Sequence, residues 1–110
     1  MTGYYETKTT PTGKEMFNLK AANHEIILTS QHYTSKEAMR TGIASVQTNG
    51  PEESSFERKT SAKEEAYFVV KAGNGQVIGT SQMYSSEAAR DKGIDSVKSN
   101  ASTDKVVELA

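Results

Sequence analysis

The sequence contains no cysteine and no long hydrophobic run. Without cysteine, the chain cannot form disulfides, thiolate metal sites or a cysteine nucleophile. The longest apolar runs, residues 26–28 and 67–70, are far too short to cross a membrane. The first residues also lack the apolar segment that marks a signal peptide. We therefore expect a cytoplasmic protein that does not act at a membrane.

An excess of charge of either sign is also missing. The chain carries 13 basic and 14 acidic residues, for a formal net charge of −1. Proteins that follow the phosphate backbone of nucleic acids usually carry a basic excess, so nucleic acid is not an expected partner.

Recognisable catalytic and metal-binding patterns are absent as well. The two histidines, His24 and His32, have no matching ligands nearby in sequence, and the carboxylates lack the spacing of a metal site. The sequence contains neither a G-x-S-x-G element nor a phosphate-binding loop. We predict no catalytic residue, no metal and no cofactor.

The sequence does contain an internal repeat. Residues 17–35 (FNLKAANHEIILTSQHYTS) match residues 68–86 (FVVKAGNGQVIGTSQMYSS) without a gap, at an offset of 51 residues. The match extends to residues 5–10 with 56–61 and to residues 42–46 with 93–97. A unit of this size is close to the lower limit for folding alone, so two units are expected to share one core. We predict a single domain, residues 1–110, made of two repeats at about 4–55 and 56–109.

Each repeat begins with short alternating segments that predict strands. In residues 15–21 the apolar side chains of Phe17 and Leu19 alternate with Asn18 and Lys20, which places Phe17 on the core face. Asn23-His24 and its counterpart Asn74-Gly75 are expected to form type I′ turns, with positive φ at both positions.

A helix follows the third strand of each repeat. Thr34 with Glu37 predicts a capping box for the first helix, and Ser85 or Ser86 is the expected cap of the second. An apolar stripe runs along each predicted helix: Ala38, Gly42, Ile43 and Val46, then Ala89, Gly93, Ile94 and Val97.

The glycines within the helices and the residues at the helix ends lead to two further predictions. A glycine within the stripe, at positions 42 and 93, suggests that each helix lies close to the sheet. A residue in the left-handed conformation is expected to end each helix, near Gly50 and Asn100.

Together these patterns predict an α+β fold with about seven strands and two helices. The helices follow equivalent strands of a duplicated unit, so pseudo-twofold symmetry places both on one face of one sheet. The other face of the sheet should be open.

Three motifs, present in both repeats, carry a resemblance to a known family. They are K-A-[AG]-N, I-x-T-S-Q-x-Y-[ST]-S and G-I-x-S-V-[KQ]-[ST]-N. They resemble the YegP-like family of small bacterial proteins, of uncharacterised function, in its tandem-repeat form. The resemblance implies two tandem βββα-β repeats forming one antiparallel sheet, with exchanged closing strands. His24 departs from the family pattern, in which glycine is more usual.

For function, the sequence favours a non-catalytic interaction module over an enzyme. The predicted partner-binding residues are Met16, Lys20, Tyr67 and Lys71, at matched positions on the open face of the sheet. A protein or peptide is the expected kind of partner, and the chain itself is expected to be a monomer with internal pseudo-twofold symmetry.

Two alternatives stay open at this stage. The first is a binder of single-stranded nucleic acid that uses an aromatic side chain of the open face, such as Tyr67. The second is an enzyme with an unrecognised site at the strand-to-helix junction, near Gln31 and Gln82.

Overall fold

A single seven-stranded sheet carries two helices in the computed structural model, which describes residues 3–108. In chain order the elements are β1 (Tyr4–Thr9), β2 (Glu15–Lys20), β3 (Ile26–Ser30), α1 (Lys36–Asn49), β4 (Phe56–Thr60), β5 (Ala66–Lys71), β6 (Val77–Thr80), α2 (Glu87–Asn100) and β7 (Val106–Glu108). A single turn of 3₁₀-helix, Glu53–Ser55, precedes β4. The predicted α+β fold is confirmed. Neither helix within residues 3–108 is long and apolar enough to span a bilayer.

The strand order is β4-β5-β6-β3-β2-β1-β7, so the two repeats meet at β3 and β6. All neighbours pair antiparallel except β1 and β7, which run parallel. The strand after each helix joins the other repeat's half of the sheet: β4 pairs with β5, and β7 pairs with β1. The closing strands are therefore exchanged, as predicted. Because β1 already fills the place beside β2, β7 adds outside it.

Both helices pack on the same face of the sheet and share one core. Phe17 and Phe68 are fully buried at its centre, with Val46 of α1 and Val97 of α2 in the same cluster. The predicted Phe17 core face is thus confirmed, and the helices leave the opposite face uncovered.

The helix glycines allow a close approach. A Cβ atom at Gly42 would overlap the Tyr33 hydroxyl, and one at Gly93 would overlap that of Tyr84. Each tyrosine ring also lies parallel to a core phenylalanine, with Phe17 and Tyr33 ring centroids 6.3 Å apart. In each repeat a tyrosine side chain therefore packs between the helix glycine and the sheet, in the space that the missing Cβ atom leaves.

The helix ends differ in two respects from the sequence expectations. Ser35, not Thr34, caps α1, because its hydroxyl accepts a hydrogen bond from the Ala38 amide at 3.1 Å. Ser86 caps α2, as expected. The predicted left-handed terminators are wrong, since Gly50 has φ −59°. Glycine is needed at position 50 for space instead, because its Cα lies against the Ala101 methyl group.

The hairpin turns also correct the sequence prediction. After β2, the Ala21 amide donates to the Glu25 carbonyl and the His24 amide donates to the Ala21 carbonyl, both at 2.9 Å. Only His24 has positive φ, at 71°, so the predicted type I′ turn is wrong. The loop is a type I turn followed by one left-handed residue, which forms a bulge.

All four hairpins within the repeats share this geometry. Their left-handed residues are Gly13, His24, Glu64 and Gly75. In the first repeat the glycine is in the first hairpin and the larger residue in the second. In the second repeat this order is reversed. His24 is supported by its side chain, whose Nδ1 lies 2.9 Å from the Tyr4 hydroxyl. Glu64 is exposed.

Glu64→Gly is expected to raise the free energy of unfolding by about 0.5 kcal/mol, because glycine adopts positive φ without strain but loses more chain entropy on folding. His24→Gly should gain less, since it also removes the hydrogen bond to Tyr4. Urea denaturation of both variants would measure the difference. A less stable Glu64→Gly protein would mean that the Glu64 side chain has a stabilising partner.

The start of β1 lies against the end of α2. The Gly3 amide donates to Asn100 Oδ1 at 2.7 Å, and the Tyr5 hydroxyl donates to the Ala101 carbonyl at 2.6 Å. In the first repeat the equivalent connection, from α1 to β4, is the continuous chain of residues 50–55.

Candidate functional site

The four predicted partner-binding residues lie on the open face in two separate pairs, one on β2 and one on β5, with β3 and β6 between them. Lys20 Nζ lies 2.9 Å from Glu6 Oε1, and Lys71 Nζ lies 2.6 Å from Glu57 Oε2. The hydrogen bond to Glu6 raises the pKa of Lys20, and the one from Lys71 is the main cause that lowers the pKa of Glu57. Each lysine charge is therefore balanced by a glutamate on the neighbouring strand.

The apolar part of this face also differs from the expectation. Met16 is only 8% exposed, so it does not form an exposed patch, and Tyr67 is half-buried. The exposed apolar side chain on this face is Ile26, which is 40% exposed and lies opposite Lys20. The face offers a small apolar spot between neutralised ion pairs.

The strand-to-helix junction uses its polar side chains mainly for structure. The Ser30 hydroxyl accepts from the Phe17 amide at 2.9 Å, and the Ser81 hydroxyl accepts from the Phe68 amide at 3.0 Å. Gln82 donates from Nε2 to the Ile26 carbonyl at 2.8 Å. These contacts tie the junction to the sheet through Ser30, Ser81 and Gln82.

A shallow cleft of about 350 Å³ does lie at the first junction, between α1 and the β5–β6 hairpin. Gln31, Tyr33 and Asn74 line it, and no Asp, Glu, His, Lys or Arg of the described residues does so. Partial burial raises the pKa of the Tyr33 phenol further above its usual range, which makes it a poorer general acid or base near neutral pH. The cleft therefore lacks an acid–base pair, and the enzyme alternative gains no support from it.

A more distinctive cavity, which we call the first-repeat groove, lies between α1 and the β1–β7 edge of the sheet. Its volume is about 290 Å³. Met39 and Ile43 of α1 form an apolar floor and are almost fully buried, while Val106 of β7 adds an exposed apolar wall. Thr7 and Thr9 of β1 supply hydroxyl groups.

Charged side chains border this groove. Lys36 Nζ lies 3.4 Å from Glu108 Oε1, and Glu15 accepts a hydrogen bond from the Thr9 hydroxyl at 2.9 Å. Arg40 forms none of the ion pairs found within residues 3–108. Its guanidinium is therefore available to an anion. Lys8 also lines the groove, but it alternates with Thr7 and Thr9, so its side chain belongs to the opposite face.

The second repeat differs at the corresponding positions, and among the described residues no strand lies outside β4 to match β7. At the offset of 51 residues, Thr7 aligns with Arg58, Met39 with Arg90 and Arg40 with Asp91. Both arginines donate from Nε to Asp91 Oδ1, at 3.2 and 3.3 Å.

Glu53 completes this cluster. It pairs with Arg58 at 3.0 Å and with Lys98, and these hydrogen bonds, led by the one from Lys98, lower the pKa of Glu53 to about 2. The second repeat thus has ion pairs beside β4 and α2, where the first repeat has the groove between β1, β7 and α1.

The groove was not predicted from the sequence, although the sequence held its signal. The repeat was identified from matching positions, whereas the groove depends on three positions that differ between the copies: 7 and 58, 39 and 90, 40 and 91. Within the described part of the chain, no group of three or more His, Asp or Glu residues is placed to hold a metal ion.

Comparison with known proteins gives a consistent result. The model of a domain family described as "Domain of unknown function (DUF1508)" matches twice, at residues 12–57 and 61–108. A UPF0339 protein of Acinetobacter baylyi is 50% identical over 99% of this chain and 98% of its own. The UPF0339 protein YegP of Yersinia pestis is 50% identical over 97% of this chain and 96% of its own.

Two solved structures are similar to the whole fold. The solution structure of the Escherichia coli protein yegP, described as of unknown function, has a TM-score of 0.93 and 44% identity, and the match covers 98% of this chain and 93% of that one. A UPF0339 protein of Shewanella oneidensis has the same TM-score with 48% identity, covering 99% and 92%. The two matches of the family model fit a tandem repeat.

Proposed function

The chain belongs to the DUF1508 family of bacterial domains of unknown function, and from its geometry we propose that it is a non-catalytic binding module whose ligand occupies the first-repeat groove. Membership supplies the fold and the duplication and assigns no activity. The proposal therefore rests on the groove itself.

The observation that carries the proposal is that one repeat has an apolar groove bounded by β7, whereas its copy has, within residues 3–108, no strand outside β4 and places an ion pair between β4 and α2. Of the two floor positions, Ile43 is matched by Ile94, whereas Met39 is matched by the buried Arg90. An apolar floor with a few polar groups at the edge is the usual composition of a small-molecule site. A volume of about 290 Å³ is at the small end of such sites, which begin at about 300 Å³. The fitting ligand is a small amphipathic molecule.

The other two readings of the sequence receive less support. A nucleic-acid binder needs unpaired cations beside its aromatic side chains, whereas Lys20 and Lys71 are paired with glutamates. An enzyme at the junction needs ionisable groups, and the junction cleft offers only the Tyr33 phenol. The open face, through Ile26 and Tyr67, is our second proposal for the place where a protein or peptide binds.

Filling the groove is expected to abolish binding. The double variant Thr7→Arg/Arg40→Asp copies the second repeat into the first and should place an ion pair across the groove. With 1-hexanol, hexanoate and hexylamine as probes, amide shift changes in ¹H–¹⁵N NMR spectra should cluster around Met39 and Ile43 in the wild type and vanish in the variant. We expect affinities of about 1 mM, or about −4 kcal/mol.

The matched control is Lys20→Gln/Lys71→Gln, which changes the open face and leaves the groove intact. It should bind the same probes as the wild type. If no probe shifts the groove residues of the wild type, the proposal is wrong. If affinity capture from a bacterial lysate, with and without nuclease, finds partners that only the lysine variant loses, the open face is the functional surface instead.

A further inference from the structure

We propose that the ligand of the first-repeat groove is a small aliphatic carboxylate, with its carboxylate group on Arg40 and its chain on the apolar floor. This inference rests on the proposed function and names the chemical class of its ligand. It follows from comparing the two repeats at the positions where their charges differ.

The charge of the ligand follows from a reversal between the repeats. In the second repeat, the cation Arg58 reaches from β4 to the anion Asp91 on α2, with Nε 3.2 Å from Oδ1. In the first repeat, the equivalent helix position holds the cation Arg40 and the equivalent strand position holds the small Thr7. The charge at this helix position is negative in the second repeat and positive in the first. The strand position that supplies its partner in the second repeat holds an uncharged side chain in the first. A ligand that restores the ion pair must bring a negative charge.

The shape of the ligand follows from the side chain that it would replace. Arg58 reaches from β4 to α2 with an aliphatic stem that ends in a charged group, and its side chain is 40% exposed. In the first repeat, Met39 and Val106 present apolar surface to the groove, and Ile43 lies beneath it. A short alkyl chain with a carboxylate at one end has the same division into an apolar body and a charged head.

Two carboxylates also border the groove; one is in an ion pair, and the other accepts a hydrogen bond from a neutral hydroxyl that leaves its charge unbalanced. Glu108 pairs with Lys36 at 3.4 Å, and Glu15 accepts from the Thr9 hydroxyl at 2.9 Å. Both partners of the Lys36–Glu108 pair are more than half exposed, so this pair is weak and Lys36 can turn towards an incoming anion. Arg40 and Lys36 lie one turn apart on α1, on the side of the helix that faces the groove.

The test compares three probes of equal chain length: hexanoate, 1-hexanol and hexylamine. In NMR titrations of the full chain, hexanoate should bind about fivefold more tightly than 1-hexanol, a ratio typical of one partly exposed charged contact. Hexylamine should bind most weakly. Raising the salt concentration should reduce the preference for hexanoate and leave the affinity for 1-hexanol unchanged.

Substitution of the arginine provides the decisive comparison. Arg40→Gln should remove the preference for hexanoate while the affinity for 1-hexanol stays as in the wild type. Lys92→Gln, which removes a cation of α2, should change neither and serves as the matched control. Preferential binding of hexylamine, equal binding of all three probes, or an unchanged preference in Arg40→Gln would each overturn the inference while leaving the binding function in place. Binding of none of the probes would overturn the proposed function itself.

Discussion

Phe68→Ala is expected to lower the free energy of unfolding by about 3–5 kcal/mol, because it leaves a large cavity in the shared core. Phe68 is fully buried. Its ring lies 5.6 Å from that of Phe56 and 6.4 Å from that of Tyr84, measured between centroids, so its loss also removes support from the tyrosine beneath α2. Typical total stabilities are about 5–15 kcal/mol, so this single change would remove a large part of the total.

The symmetry of the fold predicts a similar loss for Phe17→Ala, since Phe17 packs against Tyr5 and Tyr33 in the same way. Urea denaturation followed by circular dichroism measures both. Ile26→Ala is the control, because Ile26 is an exposed aliphatic side chain on the opposite face and should cost less than about 1 kcal/mol. A loss of less than about 1 kcal/mol for either phenylalanine would contradict the placement of the core.

A chain cut after residue 60 is expected to dimerise or to stay largely unfolded. It retains β4 but loses β5, the strand with which β4 pairs, and it exposes the edge of β3 that normally pairs with β6. Half of the shared core, including Phe68 and Val97, is lost as well. A unit of this size with two open strand edges buries too little apolar surface to be stable alone.

Sedimentation equilibrium and amide dispersion in NMR spectra distinguish the outcomes. A dimer should show dispersed amides, because two truncated chains can pair β3 with β3 and exchange their β4 strands. The control is the full chain, for which we predict a monomer. A truncated chain that is both monomeric and well dispersed would contradict the single shared core.

Much of the fold could be predicted because the sequence states it twice. A feature seen in both copies, such as the Phe17 and Phe68 strands, cannot easily be a chance pattern, and the duplication also predicts that both helices lie on one face of one sheet. Local turn chemistry was less predictable. Asn23-His24 resembles a two-residue turn in sequence, but the backbone hydrogen bond from Ala21 to Glu25 widens the loop by one residue.

The candidate site could not be predicted in the same way. Repetition identifies what the two copies share, and the first-repeat groove depends on where they differ. Thr7 and Arg58 are both plausible strand residues, and nothing local indicates that one leaves a space which the other fills. The exchange of closing strands adds to the difficulty, because Val106 reaches the groove from the far end of the chain.

The contact between the start of β1 and the end of α2 makes the two repeats a closed cycle. Each helix leads to the first strand of a repeat, from α1 to β4 through peptide bonds and from α2 to β1 through the hydrogen bonds of Gly3 and Tyr5. Val107-Glu108 in β7 matches Phe56-Glu57 in β4, so β7 corresponds to the opening of a further copy. Because β1 already pairs with β2, β7 pairs with the outer edge of β1 instead. A third copy therefore could not pair its first strand with β2, and the two-unit arrangement around β3 and β6 leaves it only the outer edges of the sheet, at β4 and β7.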